Sequence, residues 1–336
     1  MNRVIRTPRM PSSPPVEPSA AAPFPGPSAA GPSASPSAVP AVQRTARPAA
    51  RPLPLADALR RLAEPGTDIL AGGTDWYAAL GERAAPRRVV DITRIPELAG
   101  IEPSPGGGWR IGAGASWSAL LARPLPSAFD ALRAAAREVG SVQIQNTATL
   151  VGNLCNASPA ADGVPPLLAL DASVELVSPG GTRTLALGDF LLGPRRTARR
   201  ADELVTAILV PPHADGTVAR FAKLGGRRYL VISIAMVAAV LEPDPAGRVA
   251  RARVVVGACS AVATRLPALE AALLGRAIDD PALGEAVGEE ALAPLAPIDD
   301  IRASGAYRLE AVRELLARLL APDPAARPPT VLGGAA

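Results

Sequence analysis

Gln145-Asn146-Thr147-Ala148-Thr149-Leu150-Val151-Gly152-Asn153-Leu154-Cys155-Asn156-Ala157-Ser158-Pro159 crowds amides, hydroxyls and one glycine into a short stretch between apolar segments. Left unpaired in an interior, each such polar group costs about 1 to 3 kcal/mol, so a polar ligand or a dense turn network has to satisfy it. The stretch reads as a glycine loop centred on Thr149-Leu150-Val151-Gly152-Asn153. Its continuation, Ser158-Pro159-Ala160-Ala161-Asp162-Gly163, sets one carboxylate just beyond. A self-satisfied turn network is the plain alternative.

Upstream, Thr67-Asp68-Ile69-Leu70 reads as a strand that runs into another glycine loop, Ala71-Gly72-Gly73-Thr74-Asp75. Backbone N–H groups of such a loop can surround a pyrophosphate without side chains intruding. The Thr74 hydroxyl can add a hydrogen bond to phosphate, and Asp75 can accept from a ribose or ring donor or cap the next helix. Taken alone, the pattern is equally that of an ordinary turn.

Around these loops the chain reads as α+β. Asp57 to Leu62 is a short helix, Arg88 to Ile92 a strand, and Trp109 to Gly114 another strand, ending at Ser116, a good N-cap. Leu132, Ala135, Ala136 and Val139 share one helical face, stopped at Gly140. Ser173 to Ser178 and Thr182 to Leu187 flank Pro179-Gly180-Gly181 as a hairpin, and a strand over Leu204 to Val210 closes the first domain. Val218 to Leu224, Ile232 to Leu241 and Val249 to Ala258 form an antiparallel meander. A helix over Leu266 to Leu274, capped by Gly275, follows. The last helix aligns Leu309, Val312, Leu316 and Leu319 before Pro322, and the Ala- and Leu-rich faces of this second domain are candidate partner contacts.

Composition bounds the function. The chain has 336 residues, enough for two domains, which are expected at 53–212 and 216–321. Residues 1–50, rich in Pro, Ala and Ser, read as a disordered tail, and 322–336 as a flexible end. The charge of +4 is concentrated in that tail and in Arg195, Arg196, Arg199 and Arg200, which does not argue for nucleic acid. Cys155 and Cys259 are too few to ligate an iron–sulfur cluster or a zinc ion by thiolates. The single histidine, His213, reads as an exposed loop residue. No window approaches the roughly 18 apolar residues of a membrane span, and no secretory h-region is present, so a cytoplasmic protein is expected.

In their order, Ala71 to Asp75, Ile111-Gly112-Ala113-Gly114, Thr149 to Asn153 and Ala157 to Asp162 resemble the FAD-binding subunits of the xanthine dehydrogenase, aldehyde oxidase and carbon monoxide dehydrogenase family of molybdenum hydroxylases. Arg199-Arg200-Ala201-Asp202-Glu203-Leu204 and Phe221-Ala222-Lys223 followed by Arg227-Arg228 extend the resemblance, which covers about residues 53 to 320. It implies a flavin-binding domain of the vanillyl-alcohol-oxidase (PCMH) type, then a smaller α+β domain like that of carbon monoxide dehydrogenase flavoproteins. Ile69, Leu70, Ala71, Gly72, Gly73, Thr74, Asp75 and Trp76 would follow the pyrophosphate and adenosine of FAD. Ala148, Thr149, Gly152, Asn153 and Asp162 would complete the site. Val205 would pack on the isoalloxazine, with Lys223 near its polar edge, where an ammonium can stabilise charge on a reduced flavin. An exposed strand lysine is the bland alternative for Lys223.

The resemblance also implies an electron-transfer role: the subunit takes electrons from the clusters of a 2Fe-2S small subunit and passes them from FAD to an external acceptor. The molybdenum-cofactor large subunit holds the substrate site. No catalytic side chain and no metal ligand is assigned to this chain. Two departures stand out. Val151 precedes Gly152 where many relatives carry two glycines, and Tyr229-Leu230-Val231 is uncharged where NAD-using relatives carry acidic residues, which argues against NAD as the acceptor. A self-sufficient flavin-dependent reductase or oxidase on the same fold, and a non-catalytic interaction protein working through its tail, are the competing readings.

Overall fold

The structure is a computed structural model that describes residues 53–81 and 88–321; the expected tails at 1–50 and 322–336 lie outside the described residues. The first elements among the described residues are α1 (Leu55–Leu62), whose Ala58, Leu59 and Leu62 are buried, and β1 (Thr67–Leu70). The glycine loop then leads into α2 (Trp76–Leu80), and β2 (Arg88–Asp91) returns to pair with β1 in parallel.

The next elements are β3 (Ile101–Pro103), β4 (Trp109–Gly112), and five helices: α3 (Trp117–Ala122), α4 (Asp130–Glu138), α5 (Val142–Thr147), α6 (Leu150–Asn156) and α7 (Val164–Ala169). The hairpin β5 (Ser173–Ser178) and β6 (Gly181–Ala186) follows, then α8 (Leu187–Phe190), the small pair β7 (Leu191–Gly193) and β8 (Arg196–Thr197), and β9 (Leu204–Val210). These strands assemble an antiparallel five-stranded sheet of order β3-β4-β9-β5-β6. In its middle, β9 is almost wholly buried, which its unbroken Leu204-Val205-Thr206-Ala207-Ile208 run anticipates.

The remaining strands, β10 (Val218–Leu224), β11 (Ala235–Pro243), β12 (Val249–Gly257) and β13 (Thr264–Arg265), form an antiparallel meander in sequential order. Then come α9 (Pro267–Leu273), α10 (Glu289–Leu292) and the long α11 (Gly305–Leu320). Strand alternation divides this sheet between two cores. Phe221, Met236, Ala238, Val240 and Val255 join the core of the first part of the chain, against α4 and α7. Leu224, Val237, Ala239, Leu241, Val254 and Val256 face the other way, onto Leu269 and Leu273 of α9 and Val312, Leu316 and Leu319 of α11.

Of the apolar faces of this part of the chain, that of the last helix is taken up internally: Val312, Leu316 and Leu319 are buried on the sheet. His213 departs from expectation. Its side chain is 4% exposed, with Nδ1 3.0 Å from Glu242 Oε1 and Nε2 3.3 Å from the Leu170 carbonyl, because the strand lead-in carries it between two packed layers. Glu242 is further paired with Arg253 at 2.7 Å, so the ring belongs to a buried polar network rather than to solvent.

Candidate cofactor site

A cavity of about 600 Å³ opens between the first glycine loop, α6 and the start of β9. That volume lies within the roughly 300 to 1,000 Å³ typical of small-molecule and cofactor sites. Its first wall is the loop after β1. Gly73 adopts φ +74°, a left-handed conformation suited to glycine, and the carbonyl of Gly73 accepts the first bond of α2 from Tyr77. Gly72 is held to glycine for a different reason: a β-carbon there would lie 2.0 Å from the Thr147 carbonyl oxygen. The Trp76 indole N–H donates to Asp68 at 3.1 Å, bracing the loop across its mouth.

The second wall departs from the sequence reading. Residues 145–156 are not a loop but two short helices, α5 and α6, hinged at Ala148 and Thr149. Thr149 is an N-cap whose Oγ1 accepts from the Gly152 N–H at 2.9 Å, and Leu150, Val151 and Leu154 bury the apolar side of α6. Trp117 N–H donates to the Ala148 carbonyl and Leu150 N–H to that of Ala115, so the segment after Ile111-Gly112-Ala113-Gly114 pins the hinge.

Most of the polar side chains that posed the question of a ligand find partners within the chain. Gln145 donates to the carbonyls of Arg137 and Val139, Asn146 accepts from Ser118, Thr147 donates to the Gln143 carbonyl, and Asn156 accepts from Arg195. The self-satisfied network therefore accounts for much of the stretch. Two buried polar atoms stand apart: Asn153 Oδ1 and Trp117 Nε1, both of residues lining the cavity, have no hydrogen-bond partner. Such unpaired buried polar atoms call for an explanation, and their residues belong to the lining of a cavity large enough for a cofactor.

All the expected cofactor residues line this cavity except Leu70, Asp162 and Lys223. Leu70 is absent from the lining although Asp68, Ile69 and Ala71 belong to it. Lys223 is buried rather than exposed; its ammonium donates to Asp162 Oδ2 at 2.9 Å, and Ser233 donates to Asp162 Oδ1 at 2.6 Å. Burial pushes the Asp162 carboxyl above its ordinary range against the pull of Lys223. These two residues thus form an ion pair behind the cavity, each compensating a charge that would otherwise be buried alone.

At the far end, Leu204 and Val205 of β9 supply an apolar wall. Glu203, before them, accepts two bonds from Arg183, at 2.6 and 2.8 Å, and one from the Arg200 N–H, and the Arg183 bonds hold its carboxyl below the ordinary range. Sequence reasoning missed Trp117, Cys155, Asn156 and Arg199 as lining residues. Cys155, Asn156 and Arg199 lie in stretches the sequence reading singled out without assigning them to the site, and Trp117 offered an indole N–H directly after a helix cap. Cys155 is exposed at the cavity wall, yet the protein packed around it pushes its thiol up to about 11, against the pull of Arg199, so it is a weak nucleophile.

Residues 44–213 match the family described as FAD binding domain in molybdopterin dehydrogenase, and residues 220–322 match the CO dehydrogenase flavoprotein C-terminal domain. The chain is similar to the xanthine dehydrogenase FAD-binding subunit of Escherichia coli O157:H7, with 32% identity over 79% of this chain and 92% of that relative. It is also similar to the carbon monoxide dehydrogenase medium chain of Hydrogenophaga pseudoflava, with 29% identity over 80% of this chain and 94% of the relative. Among solved structures, a chain of reconstituted CO dehydrogenase from Oligotropha carboxidovorans superposes with a TM-score of 0.73 at 29% identity, covering 80% of this chain and 94% of that one.

Proposed function

Because this chain belongs to the family of FAD-binding medium subunits of molybdopterin dehydrogenases, we propose that it is the electron-transferring flavin subunit of a molybdenum hydroxylase complex. In this reading its partners are a molybdenum-cofactor large subunit and a 2Fe-2S small subunit, and it works in the cytoplasm. No helix among the described residues is long and apolar enough to cross a membrane. In the same reading the FAD-binding domain spans 53–212 and the C-terminal domain 216–321; family matches at 44–213 and 220–322 support a division near there.

The observation that carries the proposal is the cavity built from both glycine motifs, among whose lining residues Asn153 and Trp117 each keep a buried polar atom without a hydrogen-bond partner. Bound FAD would supply the capacity to accept electrons from an iron–sulfur relay and release them to an external acceptor. The chain's own residues bind and orient it. Backbone groups around Gly72 and Gly73 leave room for the pyrophosphate, Asn153 and Trp117 offer an acceptor and a donor, and Leu204 and Val205 exclude water from an apolar ring. Lys223 and Asp162 form a rigid charged backing.

The test is reconstitution. The purified full chain is expected to bind one equivalent of FAD, read from the flavin absorbance, and to co-purify with the two partner subunits when the three are co-expressed. A chain that takes up no FAD, or that takes it up and ignores both partners, would sink the corresponding half of the proposal.

A further inference from the structure

Among the described residues, Arg199 is the one Lys, Arg or His side chain that lines the cavity. Two carboxylates, Asp68 and Asp75, share the lining, so a dinucleotide bearing a doubly charged pyrophosphate would enter a site whose other formal charges are negative. Arg199 is half-buried, and its Nη1 is anchored by three carbonyls of the turn that follows it: Arg200 at 2.9 Å, Ala201 at 3.4 Å and Glu203 at 2.8 Å. All three bonds come from one nitrogen, while a guanidinium carries further N–H donors on its other nitrogens.

Two other arginines near the cavity already have side-chain partners. Arg183 is paired with Glu203, and Arg195 donates to Asn156. Arg199, in contrast, has no carboxylate within ion-pairing distance among the described residues. A cation fixed by backbone carbonyls, without a carboxylate in ion-pairing distance and lining the cavity, is prepared for an anion.

We propose that Arg199 is a cofactor-binding residue of this subunit, its guanidinium pairing with negative charge on the bound FAD. The inference rests on the FAD reading given above. That negative charge has two sources, the pyrophosphate and the ring once reduced, and they are separable by experiment.

The full chain and its Arg199→Gln and Arg199→Lys variants are stripped of flavin and titrated with FAD at low and high salt. Arg199→Gln is expected to weaken binding about tenfold or more and to flatten its salt dependence, while Arg199→Lys keeps most of that dependence. Melting of the flavin-free proteins reports the bonds to the turn separately. An unchanged flavin midpoint potential in Arg199→Gln, with weaker competition by ADP, assigns the contact to the pyrophosphate; a lowered potential assigns it to the reduced ring. Three results overturn the inference. One is an Arg199→Gln protein that binds FAD as tightly as the parent, with the same salt dependence and potential. Another is a loss of binding matched by an equal loss of flavin-free stability with salt dependence intact, which gives Arg199 to the turn alone. The third, a parent chain that binds no FAD, removes this inference and the FAD reading together.

Discussion

Gly72 meets the backbone of Thr147 directly: a β-carbon on Gly72 would stand 2.0 Å from the Thr147 carbonyl oxygen and 2.8 Å from the Ala148 α-carbon. The first glycine loop is therefore seated on the hinge between α5 and α6, and the two motifs make one cavity only because this contact has no side chain in it. Gly72→Ala should force the walls apart. Its expected cost is about 1 to 3 kcal/mol of stability with loss of flavin retention, checked by thermal melting and flavin content of the purified variant. Full flavin content at parental stability would show that the loop can be moved without consequence.

Asn153→Leu should act with opposite signs on two measurements. Removing an unpartnered buried oxygen leaves the flavin-free chain at least as stable as the parent, while FAD affinity falls about tenfold. Parallel melting of the flavin-free protein and equilibrium titration with FAD check it. A destabilised flavin-free protein with unchanged affinity would mean that Asn153 serves the fold alone.

The Lys223–Asp162 pair makes a double-substitution prediction. Lys223→Met leaves the Asp162 carboxylate buried with only Ser233 for a partner, at an expected cost of about 3 to 5 kcal/mol. Adding Asp162→Asn removes the stranded charge and should restore part of that loss. Denaturant unfolding of the two single variants and the double decides it; strictly additive losses would mean that the two groups do not compensate one another.

Glu203 gives a pH dependence. Its carboxyl titrates below its ordinary value of 4.5, first because Arg183 donates to it, with burial opposing. A depressed folded value means stability that is fully present above pH 4.5 and is lost as the pH falls below it toward the folded value. Glu203→Gln cannot titrate, so its urea midpoint should lie below the parent's at pH 7 and fall less steeply below pH 4.5. Identical slopes for parent and variant would dismiss the assignment.

The sequence by itself determined those elements whose signals are local. The strand at Leu204–Val210 and the strand at Val218–Leu224 begin and end where their flanking polar and turn residues say they should. Ser116 caps its helix as its side chain predicts, and Gly73 turns with a positive φ where the Gly-Gly pair allows it. The order of the motifs also sufficed to mark the family and its cofactor. Only the tertiary structure decided that residues 145–156 are helical. Gly152 and the asparagines around it disfavour a helix, and so short a helix is stabilised by burying Leu150, Val151 and Leu154 rather than by its own propensities. Contacts between residues distant in sequence were equally out of reach: Lys223 reaches Asp162 across 61 positions, and Gly72 needs to be glycine because of Thr147. A residue's local preference is written in its neighbours along the chain, but the partner that satisfies a buried charge or fills a cavity wall is set by how the sheets and helices pack.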